Sequence, residues 1–375
     1  MKYRINPKNN EKMSLLGFGA MRLPSLKNGE IDVDESVRII RYAIDNGVNY
    51  LDTAYVYHGE KSEGLVGKAV EDGYREKVTI ATKLPLWKIE KPEDMQTIFN
   101  TQLERLGVDY VDYYLAHDIS EGSVDAVKKF NVPDFQKKLK EEGKIKNMGF
   151  SFHGSSAAFF KEVVDYADWD FCQIQLNYMD AEFQAGVEGM KYAASKGLAV
   201  IIMEPLRGGQ LTDVIPGPIQ SYWDSVPIKR SPADWAFRWV ANFPEVTTIL
   251  SGMSTMEQVV ENVEILSEIE PNSLSPEELE IINKVAAEYN DRIPYACTKC
   301  KYCLPCPAEL DIPRIIAMRN EASMFESLKK QKYAYEMFLD PKPSACLDCK
   351  ECEEKCPQHL HISEIMAETA EMFEG

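Results

Sequence analysis

Four side chains able to handle protons stand at the ends of apolar runs. Asn49–His58 reads Asn-Tyr-Leu-Asp-Thr-Ala-Tyr-Val-Tyr-His, an apolar start that turns polar at Asp52 and carries Tyr57 five residues later. Lys83 follows the run Val78–Ala81, and His117 follows Val111–Leu115. Reducing a carbonyl with hydride requires a proton for the oxygen as negative charge develops on it. A tyrosine, with an unperturbed pKa near ~10, gives its proton up reluctantly, and a neighbouring ammonium lowers that pKa. In this scheme Asp52 keeps Lys83 charged and in place, while His117 hydrogen-bonds and orients the substrate oxygen. Singly, each residue has a bland explanation: a helix N-cap, a surface charge, a carbonyl-bound imidazole, a buried ring. Four of them in register with three successive strands fit proton chemistry better.

A second chemistry is concentrated in the tail. Of nine cysteines, one (Cys172) stands alone in the first 296 residues, and eight lie between Cys297 and Cys356. The blocks read Cys297-x2-Cys300-x2-Cys303-x2-Cys306-Pro307 and Cys346-x2-Cys349-x2-Cys352-x3-Cys356-Pro357. Clustered cysteines in a chain without an export signal favour metal over disulfides. Zinc also takes four thiolates from Cys-x2-Cys pairs, but three successive Cys-x2 steps closed by proline resemble the run of two-cluster ferredoxins, in which each block's fourth cysteine serves the other cluster. That resemblance implies one [4Fe–4S] cluster on Cys297, Cys300, Cys303 and Cys356, and a second on Cys346, Cys349, Cys352 and Cys306. The first block has two residues rather than three before Cys306, and the stretch between the blocks, helical over Ile312–Phe338, must fold back to join them.

The proton-handling residues need a frame that delivers strand ends to one place. Helical stretches closing in glycine are followed by short apolar strands: Gly47 before Val48–Leu51, Gly73 before Val78–Ala81, Gly107 before Val111–Leu115, Gly143 before Ile145–Phe150 and Gly197 before Leu198–Met203. Glycine just past a helix can take the left-handed conformation that ends it. Leu15–Gly19, Phe171–Gln175 and Val246–Leu250 complete eight strands, after a hairpin of Lys2–Ile5 with Glu11–Ser14. Strands apolar throughout, such as Leu198–Met203, are buried on both faces in parallel sheets. Eight such units over roughly 265 residues match a (β/α)8 barrel. An open doubly wound sheet is the rival, weakened by the lack of a Gly-x-Gly-x-x-Gly fingerprint after the first strand. The expected organisation is a barrel over 1–270 and a small α-helical ferredoxin-like iron–sulfur domain over 271–375, whose first helix opens at Pro276 behind a Ser275 capping box.

The spacing of Asp52 and Tyr57, Lys83 in Ala-Thr-Lys and His117 after Tyr-Tyr-Leu-Ala resemble the tetrad of the aldo-keto reductases. Gly149-Phe150-Ser151, Gln173, Pro205-Leu206 and the segment from Ser251-Gly252 to Asn262 resemble that family's cofactor segments. The resemblance spans roughly residues 1 to 270, and the tail is similar to the ferredoxin-like extension of some bacterial and archaeal members. It implies a barrel that binds NADP(H) or NAD(H), with Tyr57 as acid and with Ser151 and Gln173 on the nicotinamide amide. Met203 takes the place of the stacking aromatic, and Phe152 that of an asparagine. Pro205, Leu206, Gly252, Ser254, Gln258 and Asn262 complete the cofactor set. Gly252 and Gln258 stand where binders of the 2'-phosphate tend to carry Lys and Arg. Amides of Gly252–Ser254 at a helix N-terminus offer an alternative phosphate site.

Composition narrows the class. A net charge of −18 and an apolar share of 45% describe a chain with a full core and no affinity for nucleic acid or anionic membranes. No apolar run approaches the ~20 residues of a membrane span, and Met1–Glu11 has no export segment, so the expected location is the cytoplasm. The expected activity is NAD(P)H-dependent reduction of a small aldehyde or ketone. The competing expectation is an electron-transfer protein whose barrel is a docking platform for a redox partner.

Overall fold

The helix–strand junctions marked by glycine do take left-handed backbone: φ is +95° at Gly47, +82° at Gly73, +64° at Gly107, +70° at Gly143 and +78° at Gly197. A computed structural model describes residues 1–297 and 299–375 of the chain. An antiparallel hairpin of β1 (Tyr3–Ile5) and β2 (Lys12–Ser14) comes first. The barrel strands are β3 (Leu16–Gly19), β4 (Tyr50–Asp52), β5 (Thr79–Pro85), β6 (Val111–Ile119), β7 (Ile145–Phe152), β8 (Phe171–Gln175), β9 (Ala199–Met203) and β10 (Val246–Ser251). They form a closed parallel barrel in the order β10-β3-β4-β5-β6-β7-β8-β9. The pairing Ile249↔Leu16 and Ser251↔Phe18 joins the last strand to the first and excludes the open sheet.

Between the strands run α1 (Val33–Asp45), α2 (Ser62–Ala69), α3 (Pro92–Leu106), α4 (Val124–Lys129), α5 (Val132–Glu141), α6 (Ala157–Tyr166), α7 (Gly186–Ser195), α8 (Gly217–Ser225), α9 (Pro232–Ala241) and α10 (Met256–Leu266). The barrel interior is filled by Tyr50, Tyr113, Leu115, Phe171, Ile201 and their neighbours. Tyr113 meets Tyr50 and Phe171 edge-on, with ring centroids 5.1 and 4.9 Å apart. Such edge-to-face packing suits aromatic quadrupoles. The hairpin closes the end of the barrel opposite the site: Asn6 donates to the Tyr113 hydroxyl at 3.0 Å, and the Arg4 guanidinium donates to the Phe243 carbonyl at 2.7 Å.

The chain divides into two compact units, Met1–Gly208 with Ser231–Ser275, and Gly209–Arg230 with Pro276–Gly375. Residues 209–230, the connection after β9, therefore group with the tail. The second unit adds α11 (Pro276–Asp291), α12 (Ile312–Phe325), α13 (Leu328–Phe338), α14 (Glu351–Glu354) and α15 (Ile362–Glu374). The stretch between the cysteine blocks is thus two helices, broken at Glu326 with φ +50°. Ile312, Ile315, Ile316, Ile362, Ile365 and Met366 form this unit's core, and six of the cysteines pack against it. Among the described residues no helix is long and apolar enough to cross a membrane.

Candidate functional site

Parallel closure places every strand's carboxyl end at one mouth, and the residues there come together as their spacing implies. Asp52 is the last residue of β4, and Tyr57 lies in the loop that follows. Lys83 and His117 sit inside β5 and β6, each of which runs two residues beyond them, to Pro85 and Ile119. The Lys83 ammonium is 1% exposed and uses all three of its protons: on Asp52 Oδ1 at 2.7 Å, on the Thr53 carbonyl at 2.7 Å and on the Tyr57 hydroxyl at 3.3 Å. Because the ammonium donates to the phenol oxygen, the phenol's own O–H is left to donate elsewhere. Burial would push Lys83 down, but Asp52 and Tyr57 outweigh it and hold the ammonium above its ordinary value.

The phenol departs from expectation. Burial pushes Tyr57 above the usual tyrosine range, and the opposing pull of Lys83 does not offset it. Lys83 therefore moderates a desolvated phenol rather than creating a phenolate, and the protonated acid persists at neutral pH. The His117 ring stands edge-on to Tyr57 with centroids 6.2 Å apart and lies 5.2 Å from Trp87. Burial first, then the Lys83 charge and His153, pushes His117 down to about 3, so the imidazole is neutral. Its Nδ1 is buried with no hydrogen-bond partner among the described residues, as is Asp52 Oδ2.

Ser151, Gln173 and Met203 come together on β7, β8 and β9, where Ser151 pairs in register with Gln173. The Gln173 side chain lies buried with its Nε2 3.6 Å from Met203 Sδ, and its Oε1 has no partner among the described residues. An unsatisfied buried amide oxygen costs free energy unless a donor arrives, and a carboxamide N–H is such a donor. The residues therefore fit the amide of a nicotinamide. Pro205 and Leu206 follow β9. Gly252, Ser254, Gln258 and Asn262 gather at the β10–α10 turn, but two of them serve the turn itself. Gln258 Oε1 accepts from the Ser254 amide at 2.8 Å, and Asn262 donates to Ser251 Oγ at 3.0 Å. The Ser254 amide expected for a phosphate is thus already engaged. The Arg22 stem lies over Gly252, where a Cβ would sit 3.2 Å from it.

The eight tail cysteines ring two hollows. One is lined by Cys297, Cys300, Cys303 and Cys356. The other is lined by Cys303, Cys306, Cys346, Cys349 and Cys352. Each hollow draws on both sequence blocks, the pattern expected of crossed ligation. The thiols surround space rather than a point: among the described residues no three His, Cys, Asp or Glu side chains are grouped to hold a single ion. Burial pushes Cys303 and Cys352 up to about 11, so iron must displace their protons to bind.

Several residues beside the site escaped the motif reading: Thr53, Glu63, Trp87, Gln102 and Arg105. Gln102 Nε2 donates to the Lys83 carbonyl at 2.9 Å, which no motif announces. Of the remaining histidines, His58 accepts from the Leu23 amide at 3.1 Å, and His153 lies 3.5 Å from Gln184. Cys172 is a buried strand residue whose thiol burial pushes up.

A closed β/α barrel with a carboxylate, phenol, ammonium and imidazole at its mouth defines a class of oxidoreductases. The chain belongs to the aldo/keto reductase family, whose model matches residues 15–220, and residues 296–360 match a 4Fe-4S dicluster domain. It is 30% identical over 295 residues to L-galactose dehydrogenase of Arabidopsis thaliana, covering 73% of this chain and 91% of that one. It is 26% identical to the NADH-specific methylglyoxal reductase of Escherichia coli, covering 64% and 85%. Among solved structures, the aldo-keto reductase AKR11C1 of Bacillus halodurans superposes with a TM-score of 0.64 at 26% identity, over 76% of this chain and 96% of that one.

Proposed function

We propose that the protein reduces a small aldehyde or ketone at the expense of NADH or NADPH, with Tyr57 as proton donor. The observation that carries this reading is the direction of the Lys83 hydrogen bonds: the ammonium donates to the Tyr57 oxygen at 3.3 Å, which leaves the phenol proton for the substrate. When bound, the dihydronicotinamide supplies the hydride. Ser151 and Gln173 would hold its amide, with Met203 packed against the ring. His117, neutral and buried beside Tyr57, would hydrogen-bond the carbonyl oxygen without competing as an acid. Asp52 holds Lys83 in place, so developing negative charge on the substrate oxygen meets a fixed field. Relatives named for methylglyoxal reduction and for L-galactose dehydrogenation support a carbonyl-bearing small molecule as substrate.

The cysteine hollows fit two [4Fe–4S] clusters with crossed ligands: Cys297, Cys300, Cys303 and Cys356 for one, and Cys306, Cys346, Cys349 and Cys352 for the other. Such clusters exchange single electrons with a redox protein, whereas a nicotinamide exchanges hydride. We place the protein in the cytoplasm, where thiols stay reduced.

The test is anaerobic NADH and NADPH oxidation against a panel of aldehydes and ketones, with wild type and Tyr57→Phe assayed side by side for turnover, iron and sulfide. Turnover in wild type and its loss in an iron-replete Tyr57→Phe is the expected result. A wild type that binds nucleotide, keeps its iron and reduces none of the panel would favour the electron carrier instead.

A further inference from the structure

We propose that Gln102 and Arg105, one turn apart on α3, are positioning residues that hold Lys83 and Tyr57 in register through the buried carboxylate of Glu63. The inference rests on the reading of Tyr57 as proton donor. Spacing of i and i+3 puts both side chains on one helix face. Gln102 reaches the strand: its Nε2 donates its two protons to the Lys83 carbonyl at 2.9 Å and to Glu63 Oε1 at 2.9 Å, with Thr82 Oγ1 3.1 Å away, while its Oε1 accepts from Tyr114 at 2.8 Å. Arg105 reaches the loop that carries Tyr57. It donates to the Tyr55 carbonyl at 3.4 Å, to Glu60 Oε2 at 2.5 Å and to Glu63 Oε2 at 3.3 Å, and its guanidinium stacks 4.2 Å from the Tyr55 ring.

Glu63 ties the two halves together. It is fully buried on α2 and also accepts from Thr82 Oγ1 at 2.6 Å. A buried carboxylate is tolerated only when fixed donors surround it, so Glu63 fixes the spacing between its donors. The loop needs such fixing. His58, Gly59 and Glu60 have φ of +50°, +61° and +71°, a left-handed run that two non-glycine residues resist. Anchors at Tyr55 and Glu60 bracket Tyr57, and Glu60 also accepts from Lys88 at 2.9 Å. The frame therefore ends on the backbone of Lys83 and on both sides of Tyr57, at the one pair whose separation decides how strongly the ammonium polarises the phenol.

The experiment compares wild type, Tyr57→Phe, Gln102→Met, Arg105→Met and Glu60→Gln in the full chain with its clusters. It reads kcat, KM, nucleotide affinity by quenching of tryptophan fluorescence, and the pH dependence of kcat. Gln102→Met and Arg105→Met should lose roughly 10- to 100-fold in kcat, the scale set by misplacing a catalytic group by about 1 Å, with nucleotide affinity unchanged. Tyr57 is faced by Lys83, Asp52, His117 and Glu204; when Lys83 drifts, its lowering influence is lost and the alkaline limb of kcat moves to higher pH. Glu60→Gln opens the frame at its partly exposed end without emptying a buried site, and should move the limb the same way. Unchanged kcat and an unmoved limb in Gln102→Met and Glu60→Gln, with turnover still abolished by Tyr57→Phe, would overturn the frame alone. Turnover that survives Tyr57→Phe would overturn the reading of Tyr57 as well.

Discussion

Replacing Lys83 with methionine tests the site through stability as well as activity. The ammonium is fully buried and bonds Asp52, Thr53 and Tyr57, while the Asp52 side chain is 4% exposed. Methionine fills most of the volume but leaves a buried carboxylate without its counter-ion, a loss of about 3–5 kcal/mol. At about 2–4 °C per kcal/mol for a domain of this size, the thermal midpoint should fall by roughly 6–20 °C. Burial already pushes the Asp52 carboxyl up, and without Lys83 it would rise further. A carboxyl whose folded pKa exceeds its unfolded one binds more protons when folded, so Lys83→Met should regain stability as the pH is lowered. Adding Asp52→Asn removes the charge, and the double variant should recover most of the stability at neutral pH. It should recover none of the activity, because the phenol has lost its polarising partner and with it about a 100-fold or greater share of kcat. Thermal unfolding from pH 5 to 8, run beside carbonyl reduction, measures both. A Lys83→Met protein as stable as wild type, or a double variant no more stable than the single, would refute the account of a buried ion pair.

Two further outcomes follow from the geometry. His117 has its pKa depressed to about 3, so the stability it contributes is complete above its unfolded pKa near ~6.5 and is lost as the pH falls below that. Urea unfolding of His117→Asn should accordingly depend less on pH between about 6.5 and 3, and the same slope as wild type would contradict the depressed value. In the tail, Cys356→Ser combined with Cys297→Ser should remove no more iron than either change alone, because both thiols line one hollow. Cys356→Ser combined with Cys346→Ser should remove nearly all of it, and the reverse pattern would mean that each block keeps its own cluster.

The barrel was largely legible because its signals are local. A glycine that closes a helix and an apolar strand after it need no knowledge of distant residues, and all five glycines read this way carry positive φ. Closure was legible only through the count of units and the family resemblance, because it depends on Leu16 pairing with Ile249 across most of the chain. The tetrad could be read from type and spacing, yet its electrostatics could not. Spacing brings Lys83 toward Tyr57, but only burial decides that the phenol's pKa moves up rather than down. Gln102, Arg105 and Glu63 were passed over because polar helix residues are ordinarily solvated, and no local pattern tells which helix face turns onto β5. Spacing likewise does not announce that Gln258 folds back onto the Ser254 amide and serves the loop. The grouping of residues 209–230 with the tail likewise depends on tertiary contacts that no stretch of sequence announces.

If the two cysteine blocks share ligands as proposed, their interleaving also sets an order of events during synthesis. Cys297, Cys300 and Cys303 leave the ribosome well before Cys356, which completes their hollow, and Cys306 waits some forty residues for its partners. Neither hollow has its full set of thiols until the second block has been made. On that ligation, iron that needs either full set arrives after the second block has been made, when the barrel, built from earlier residues, can already have closed. Filling the tail would then be a step separable from closure of the barrel, and one that depends on iron and sulfide where the barrel does not.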